Sequence, residues 1–510
     1  MTVVASEQRR AESAVLRRIW RLHFWIGLFV APALVLLSLS GLVILYSQPL
    51  DLVLHRSLTV VSPGGALQSL DAQIAQARRH MGPDPVLDAV IPPGAADRST
   101  RIDFLPADGA PSAERNLTQV FINPYNGNYL GQRRELDGLV GWANQLHRLF
   151  GNDGPRVALP ALGHLINPSA YPEATINVGI GNLTIEMAAV WVLVLVLSGV
   201  YIWWFRRGPQ QVPMLRIRWR KGGLIRWRDV HTTAGILMSV VLIFYIVSGL
   251  TWSRYWGENW RAVVSTVTPS AGSDAPSTPA KLGEFDRLGR RIPWAAKGDP
   301  VYASLPPGST DRLLPKPLGF SDIDQIARAE QMVPGYAIIP PSNYEVAGQP
   351  VFGSYTVVNA APNRLSEQRT LFLNQFTGET VAIRTADQTG ALAQATNWGV
   401  NAHQGTQFGI WNRILSTAIC LALLTSIVSA VLMWWKRRPA GDTGLPRRTP
   451  EAVRVATPRS AVAVVAATAA GLALLFPSFG ATLVIVIVAE AIRAVADRRA
   501  SSTRDRVSPD

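Results

Sequence analysis

The alternation of apolar and polar positions divides the chain into long apolar stretches and two long segments of mixed composition. The four longest apolar stretches lie at residues 22–46, 184–205, 231–252 and 411–435. Each can cross the hydrocarbon core of a bilayer as a helix, which needs roughly 20 residues. A weaker pair at residues 461–495, interrupted by Phe476-Pro477-Ser478, predicts a C-terminal hairpin of two short spans. The first stretch is too long for a cleaved signal peptide, so we expect it to remain as a helix.

The two mixed segments, residues 47–183 and 253–410, lie between spans one and two and between spans three and four. They contain short runs typical of strands, turns rich in Pro and Gly, and helical patches such as residues 70–80 and 322–331. The pattern predicts an α-helical integral membrane protein with two α+β domains on one side of the membrane.

Composition supports a membrane protein and excludes several kinds of redox site. Hydrophobic residues make up 48% of the 510 positions and charged residues 16%, against about 25% charged residues in an ordinary soluble domain. Cys420 is the single cysteine, which excludes an internal disulfide, a CxxC pair and a metal site built from four cysteines. The sequence also lacks a convincing nucleotide-binding glycine motif, and its short basic loops leave no room for a flavin or NAD domain.

The placement of the basic residues predicts the orientation of the chain. Lys and Arg total 49 against 35 acidic residues, a formal net charge of +14. Much of this charge falls in four short segments between or beside the spans, at residues 1–21, 206–230, 436–460 and 496–510. The positive-inside rule makes these segments, and both termini, cytoplasmic. Because topology and the lipid bilayer explain the charge, we expect no nucleic-acid partner.

The spans contain an internal repeat. His23, Gly27 and Ser40-Gly41 in the first span have the same spacing as His231, Gly235 and Ser248-Gly249 in the third. The second and fourth spans end in register, on Ser198-Gly199 with Trp203-Trp204 and on Ser429-Ala430 with Trp434-Trp435. Residues 120–127 and 371–378 also match, and His147 and His403 follow them. The unit therefore occurs twice, near residues 21–207 and 229–438, as a parallel duplication with its pseudo-twofold axis along the membrane normal.

The repeated histidines of the first and third spans suggest a buried redox cofactor. An ionisable residue inside a span is costly and marks a functional site by default. The repeat makes His23 and His231 equivalent, and two opposed imidazoles are the ligands of a six-coordinate haem b. Gly27 and Gly235 would let the flat macrocycle approach the helices. The predicted partners of the haem propionates are basic residues near these histidines: Arg17, Arg18, Arg21, Arg226 and Arg228.

His147 and His403 form the second matched pair and predict a second haem b at the outer surface. Roughly 27 Å of helix, at about 1.5 Å per residue, separates each inner histidine from the Ser-Gly pair of its span. Two haems would therefore form an electron route across the bilayer. His164 has no counterpart in the other half and is an alternative to His147 as the outer ligand. His55 and His80 are interpreted as solvent residues, and no zinc-like cluster of ligands is visible.

Together these residues resemble the PepSY-associated transmembrane family of bacterial inner-membrane proteins. The resemblance rests on Leu22-His23, Leu146-His147-Arg148, Val230-His231, His403-Gln404-Gly405 and the two Trp-Trp pairs, and it covers about residues 20–438. The turns at 123–127 and 374–378 resemble the closing strands of PepSY domains, although Gln375 and Phe376 depart from the pattern in the second. The resemblance implies two PepSY-like domains in the periplasm.

Some members of this family resemble ferric-siderophore reductases, so the resemblance implies reduction of a chelated Fe(III) to Fe(II). The reductant would be a membrane quinol or an unidentified donor, and no catalytic acid, base or nucleophile is expected. Two other functions stay open. The chain could be a non-catalytic interaction or regulatory protein whose PepSY-like domains bind a peptidase, transporter or sensor, or a transporter built on the repeat.

Overall fold

The computed structural model describes residues 2–105, 117–150, 154–168, 171–205, 216–267, 275–285, 292–306, 315–359, 364–446 and 459–507. For residues 2–14, 461, 493–494 and 496–507 only the backbone is described. Part of the predicted basic loop (206–215), about half of the predicted linker after the fourth span (447–458) and the last three residues of the tail lie outside these ranges.

Helices dominate both ends of the described chain. They are α1 (Thr2–Leu45), α2 (Ser47–Leu54), α3 (Arg56–Thr59), α4 (Leu70–Arg78), α5 (Gly138–Leu149), α6 (Leu162–Ile166), α7 (Ile180–Phe205), α8 (Gly223–Leu250), α9 (Tyr255–Val267), α10 (Phe320–Ala329), α11 (Ala391–His403), α12 (Ile410–Arg437), α13 (Arg459–Leu475) and α14 (Pro477–Val507).

Four helices within the described ranges are long and apolar enough to cross a membrane: Val15–Leu45 of α1, and α7, α8 and α12 in full. They match the four predicted spans, with the largest shifts at the starts of the first and third. The first candidate span begins at Val15 rather than at residue 22, and the third helix begins at Gly223 rather than at residue 231, because its first turns carry Arg226 and Arg228, which apolar patterning does not detect. α13 and α14 form the two predicted C-terminal helices and break at Phe476.

The strands lie between these helices along the chain. They are β1 (Leu87–Ile91), β2 (Thr100–Phe104), β3 (Thr118–Ile122), β4 (Tyr129–Arg134), β5 (Arg156–Pro160), β6 (Thr175–Gly179), β7 (Ser277–Lys281), β8 (Pro300–Ser304), β9 (Ala337–Ile339), β10 (Tyr344–Val346), β11 (Gln349–Gly353), β12 (Tyr355–Val358), β13 (Arg369–Leu373) and β14 (Thr380–Thr385).

The two mixed segments build one sheet, which corrects the prediction of two separate α+β domains. Its strand order in the described chain is β14-β13-β12-β9-β1-β2-β3-β4, so each segment contributes four strands. The segments join where β1 pairs antiparallel with β9, with Val90 opposite Ile338. Left separate, each half would expose an unpaired strand edge, which proteins avoid. One apolar core, including Ile74, Ile323 and Ile338, also lies beneath both halves.

Smaller sheets and polar contacts connect this sheet to the long helices. β10-β11-β8-β7 form a four-stranded sheet, and β5 pairs with β6. Arg133 of β4 makes a bidentate ion pair with Asp51 of α2, at 2.8 Å for each bond. The indole N–H of Trp294 donates to the backbone oxygen of Thr251, which follows α8, at 2.7 Å. α5 and α11 follow the two outer strands of the sheet, β4 and β14, and carry His147 and His403.

Asp71 of α4 fixes the two halves of the sheet to each other. Its carboxylate accepts hydrogen bonds from the backbone N–H groups of Phe320 (2.9 Å) and Ser321 (3.0 Å), at the start of α10, and from the Ser321 hydroxyl. Desolvation raises the pKa of Asp71, but the bonds from Ser321 and Phe320 together outweigh it and lower the pKa. One carboxylate therefore caps a helix that belongs to the other segment.

We predict that Asp71→Ala lowers the free energy of unfolding by about 1 kcal/mol, the cost of losing a helix cap. Because the folded pKa is lowered, the contribution of Asp71 is present above its unfolded pKa of about 4 and is lost as pH falls through the folded value. The difference between wild type and variant should therefore shrink in acid. Unfolding of the detergent-purified protein at several pH values measures both effects.

Glu345→Ala, which removes an exposed acid from β10, is the control and should leave stability within experimental error. The capping role of Asp71 would be contradicted if both variants lost the same free energy of unfolding. It would also be contradicted if the difference in unfolding free energy between wild type and Asp71→Ala stayed constant in acid.

Candidate functional site

His23 of α1 and His231 of α8 face each other between the long helices. Their ring centres are 6.4 Å apart and their planes are nearly perpendicular, at 81°. Two imidazoles that bind one metal from opposite sides place their ring centres roughly 6 Å apart, given metal–nitrogen bonds of about 2 Å. The observed separation therefore has room for one iron between the two rings.

A backbone carbonyl fixes the tautomer of His23. Its Nδ1 lies 3.1 Å from the oxygen of Leu195 and 3.0 Å from the hydroxyl oxygen of Ser198, both on α7. Because a carbonyl oxygen only accepts hydrogen bonds, Nδ1 carries the proton and donates it. The lone pair is then on Nε2, the nitrogen available to a metal.

His231 is held by α12 in the same way. Its Nδ1 lies 2.9 Å from the backbone oxygen of Ser426, 3.1 Å from the hydroxyl of Ser426 and 3.4 Å from the hydroxyl of Ser429. In the second half Ala430 replaces the glycine found after Ser198. The ring of His231 correspondingly lies closer to the Ser426 hydroxyl than to that of Ser429.

The outer histidines repeat this arrangement on the other ends of α1 and α8. His147 of α5 has its Nδ1 3.0 Å from the backbone oxygen of Leu37 and 3.1 Å from the hydroxyl of Ser40. His403 of α11 has its Nδ1 3.2 Å from the hydroxyl of Ser248, and the backbone of Tyr245 opposes the lowering of its pKa by burial. For the other three histidines the accepting carbonyl precedes the Ser of the repeated motif by three residues, and Tyr245 holds the same position relative to Ser248.

The glycine after each of three serines makes room for the imidazole. A Cβ added to Gly199 would lie 3.0 Å from Cε1 of His23, one on Gly249 2.9 Å from Cε1 of His403, and one on Gly41 3.2 Å from Cε1 of His147. The Ser-Gly pair is thus a cradle for a histidine from another helix. Sequence reasoning used it only to set the register of the repeat and missed this role, although its recurrence opposite a repeated histidine was a usable signal.

The glycines expected to admit a macrocycle lie in different surroundings. A Cβ at Gly235 would meet nothing within 4 Å, whereas one at Gly27 would lie 3.6 Å from Leu195. Gly235 therefore borders open space, as the prediction requires, and Gly27 packs against α7. All four candidate ligand histidines are half-buried residues.

The outer pair is electrically neutral near pH 7. Burial and, next in size, the charge of a nearby protonated His403 lower the pKa of His147 to about 4. Burial likewise lowers the pKa of His403 to about 4. Neutral imidazoles are the form that binds metal. The effect of His403 on the pKa of His147 indicates that these two residues lie near each other.

The remaining histidines lie apart from these pairs. His164 of α6 has its Nδ1 2.9 Å from the backbone oxygen of Tyr171, and the structure gives no support to it as an outer ligand. His80 is exposed and stacks on Tyr129, with ring centres 3.8 Å apart. His55 lies between α2 and α3 and is partly exposed.

Two of the arginines expected to bind propionates have protein partners instead. Arg21 forms an ion pair with Glu490 of α14, at 2.9 Å. Arg228 lies 3.4 Å from Asp229, which also binds Arg218 through two bonds of 2.7 Å. These contacts occupy part of each guanidinium, and the pairing of Arg21 and Arg228 with haem propionates stays a prediction. The other candidates differ in setting: Arg226 stacks on Trp227 at 5.4 Å, and Arg17 and Arg18 are exposed on α1.

Glu186 of α7 is a buried acid that sequence reasoning missed. It is fully buried, and its Oε1 accepts from the backbone N–H groups of Tyr255 and Trp256 at the start of α9. An acid within an otherwise apolar span was the available signal. Its bonds make it a cap for α9.

The donor set suits a metal whose other ligands come from a macrocycle. Within the described ranges no group of three or more His, Cys, Asp or Glu side chains could hold a metal ion. A bare ion such as zinc needs about four protein ligands or three and a water. An opposed pair of neutral imidazoles supplies only the two axial positions, which is what haem iron requires. The inner pair fits haem by its spacing, and all four histidines fit it by the tautomer that their backbone contacts favour.

The fold and this set of paired histidines define a membrane protein with several apolar helices and a β-rich portion at one end of them. The chain belongs to the family of the PepSY-associated TM region, whose model matches residues 20–437. This match confirms the family resemblance of the sequence, and α13 and α14 lie outside it. No curated protein matches the chain.

We predict that Gly249→Ala destabilises the protein relative to Gly471→Ala on α13. Both substitutions gain about 1 kcal/mol of helix propensity, but only the first pushes a methyl group against His403, since a Cβ at Gly471 would meet nothing within 4 Å. Overpacking costs about 1–3 kcal/mol, so the difference between the variants reports the cradle. Thermal unfolding in detergent measures it, and equal melting temperatures would show that Gly249 does not support His403.

Proposed function

We propose that the protein is a haem-dependent electron-transfer protein of a bacterial inner membrane, which reduces ferric siderophores at the periplasmic side. The observation that carries this proposal is the 6.4 Å separation of the His23 and His231 rings, together with the carbonyl contacts that leave Nε2 of each ring available. The proposal makes His23 and His231 the ligands of an inner haem b, and His147 and His403 those of an outer one.

The proposed topology has both termini in the cytoplasm and the sheet in the periplasm. The arginine-rich segments lie at the ends of the helices near His23 and His231, and the sheet lies near the opposite ends. In this proposal α13 and α14 form a hairpin of two further spans against α7. Its support is the bond from the Trp191 indole to Thr482, at 2.9 Å, and the ion pair between Arg21 and Glu490.

The proposal also treats the two halves as copies of one parallel unit. Each copy has a histidine near the start of its first long helix, four strands of the shared sheet, an outer histidine and a second long helix. The surroundings of the four histidines support this equivalence. Each Nδ1 atom lies beside a motif that consists of a backbone carbonyl and a serine three residues later. A pseudo-twofold axis between α1 and α8 would then pass between the histidines of each pair.

The length of the helices sets the separation of the two sites. His23 and the cradle serine Ser40 are both on α1, seventeen residues apart, which corresponds to about 25 Å of helix. His231 and Ser248 on α8 have the same spacing. The two sites would therefore lie near opposite surfaces of the bilayer, as a transmembrane electron route requires.

Bound haem b would supply a reversible one-electron iron centre at each site. The protein's part is to hold Nε2 of each histidine toward the iron, to keep the imidazole neutral, and to anchor Nδ1, which strengthens the ligand. In the overall reaction one chelated Fe(III) takes up one electron and becomes Fe(II). The electron passed to the substrate is then replaced in the protein by a reductant. This reductant is a membrane quinol, which can supply two electrons, or another donor. No covalent bond to the protein forms or breaks.

We predict that the purified protein binds two haems b for each chain, with a Soret band and sharp α and β bands after reduction by dithionite. His23→Ala and His231→Ala should each remove about half of the haem, and His147→Ala or His403→Ala the other half, because each haem loses an axial ligand. His80→Ala, at an exposed ring, should retain both. Pyridine haemochrome assays of the six proteins measure the content.

A folded wild type from haem-replete cells that carries no haem would eliminate electron transfer by this route. The chain would then be a membrane interaction protein whose histidines join helices. Loss of all haem from every variant, including His80→Ala, would indicate unfolding and would contradict the assignment of separate sites.

We also predict that the dithionite-reduced protein, freed of excess reductant, reduces ferric desferrioxamine B. Ferrozine should trap one Fe(II) for each electron stored, and His403→Ala should slow the reaction strongly because the outer site faces the substrate. His80→Ala should react like wild type. A reduced protein with both haems that leaves the ferric siderophore unchanged would disprove this substrate class but not electron transfer.

A further inference from the structure

Tyr245 of α8 makes three different contacts around His403. Its ring lies against the imidazole, with centres 4.9 Å apart and planes inclined by 35°. Its backbone favours the protonated form of His403 and so opposes the lowering of the His403 pKa by burial. Its hydroxyl lies 2.6 Å from the hydroxyl of Ser416 on α12. Tyr245 therefore contacts the ring of His403 directly and is itself held by α12.

The hydroxyl of Tyr245 continues into a chain of hydrogen bonds that returns to His403. Ser416 donates to the backbone oxygen of Asn412 at 2.8 Å, so its oxygen accepts from Tyr245. The side-chain amide of Asn412 donates to the backbone oxygen of Ala402 at 2.8 Å, and Ala402 directly precedes His403. Ser416, Asn412 and Ala402 are all buried. We name Tyr245, Ser416 and Asn412 the tyrosine clamp.

At the positions that match the tyrosine clamp, the other half has residues without polar side-chain atoms. The register that matches Ser40 with Ser248 places Leu37 where Tyr245 stands. The register that matches Ser198 with Ser429 places Ile185 opposite Ser416 and Gly181 opposite Asn412. None of these three side chains can donate or accept a hydrogen bond. Within the described residues the two outer histidines therefore differ: His403 has the ring of Tyr245 beside it, whereas near His147 the Asn182 amide donates to the backbone oxygen of Arg148 at 3.2 Å.

We propose that Tyr245 is a positioning residue that fixes the imidazole plane of His403 and so makes the outer site asymmetric, with one rigid and one less constrained axial ligand. This inference rests on the proposed haem sites and goes beyond them, because it concerns the orientation of one ligand. Tyr245 acts through His403 and takes no part in a chemical step.

Two energetic arguments support the role of the ring and of the hydroxyl separately. An aromatic pair contributes about 0.5–1.5 kcal/mol, which corresponds to a roughly two- to tenfold effect on an equilibrium or rate. The buried hydroxyl pair of Tyr245 and Ser416 has its own hydrogen-bond stability, and breaking it leaves one oxygen without a partner. Loss of the ring should therefore affect His403 more than loss of the hydroxyl.

The test compares electron paramagnetic resonance spectra of the ferric protein, since the largest g-value of a bis-histidine haem depends on the angle between its imidazole planes. The signal missing from His403→Ala identifies the outer haem. Tyr245→Leu, which installs the residue found at the matched position 37, should shift that signal and leave the inner one unchanged. Tyr245→Phe should shift it less. Transfer of the outer haem to apomyoglobin should be roughly two- to tenfold faster in Tyr245→Leu.

Thr417→Val is the matched control for the hydroxyl pair. Thr417 is the next residue of α12, and its hydroxyl lies 3.0 Å from that of Tyr46, so this variant removes a similar bond outside the clamp. Ser416→Ala should shift the outer signal, whereas Thr417→Val should not.

Each result has a definite meaning. A haem-free wild type overturns both the haem sites and the role of Tyr245. A wild type with two signals, together with a Tyr245→Leu variant whose outer signal and haem transfer match wild type, overturns only the clamp. Equal shifts of both signals would show a general change of packing and would also overturn it.

Discussion

The bond from histidine Nδ1–H to a helix carbonyl is the constraint on which the arrangement of this protein depends. A neutral imidazole in an apolar interior must pair its N–H group, because a buried unpaired donor is costly. A helix carbonyl that already accepts within its helix has a second lone pair to offer. Each of the four bonds joins two different helices: α1 to α7, α8 to α12, α5 to α1, and α11 to α8. The same four bonds therefore set both helix neighbours and the direction of Nε2.

The shared sheet places the outer pair as the long helices place the inner one. His147 and His403 are carried by helices that follow the two outermost strands, β4 and β14, and their Nδ1 atoms lie beside Ser40 of α1 and Ser248 of α8. The central pairing of β1 with β9 and the cap from Asp71 to α10 join the two halves of the sheet from which these helices extend. A pair of independent domains would leave the distance between the two rings undefined.

The residues around the histidines differ between the two halves of the chain. Ala430 stands in place of a glycine beside His231, and Tyr245 stands in place of Leu37 beside the outer pair. The C-terminal helices pack against α7, where Trp191 contacts Phe479 with ring centres 4.8 Å apart. Equivalent sequence positions therefore meet unequal neighbours, and two haems held in such sites would have different environments.

Sequence alone determined the parts of the protein that depend on local composition and on spacing. The four long helices follow from apolar length, and the pairing of His23 with His231 follows from equal spacing to glycine and serine. Tertiary structure decided what depends on contacts between distant segments. The union of β1 and β9 in one sheet, the ion pair of Arg21 with Glu490, and the packing of Ser-Gly pairs against histidines each join residues far apart in the chain. No periodicity records such contacts, because any of several partners would satisfy the same strand edge, charge or N–H group, and only the folded packing selects one.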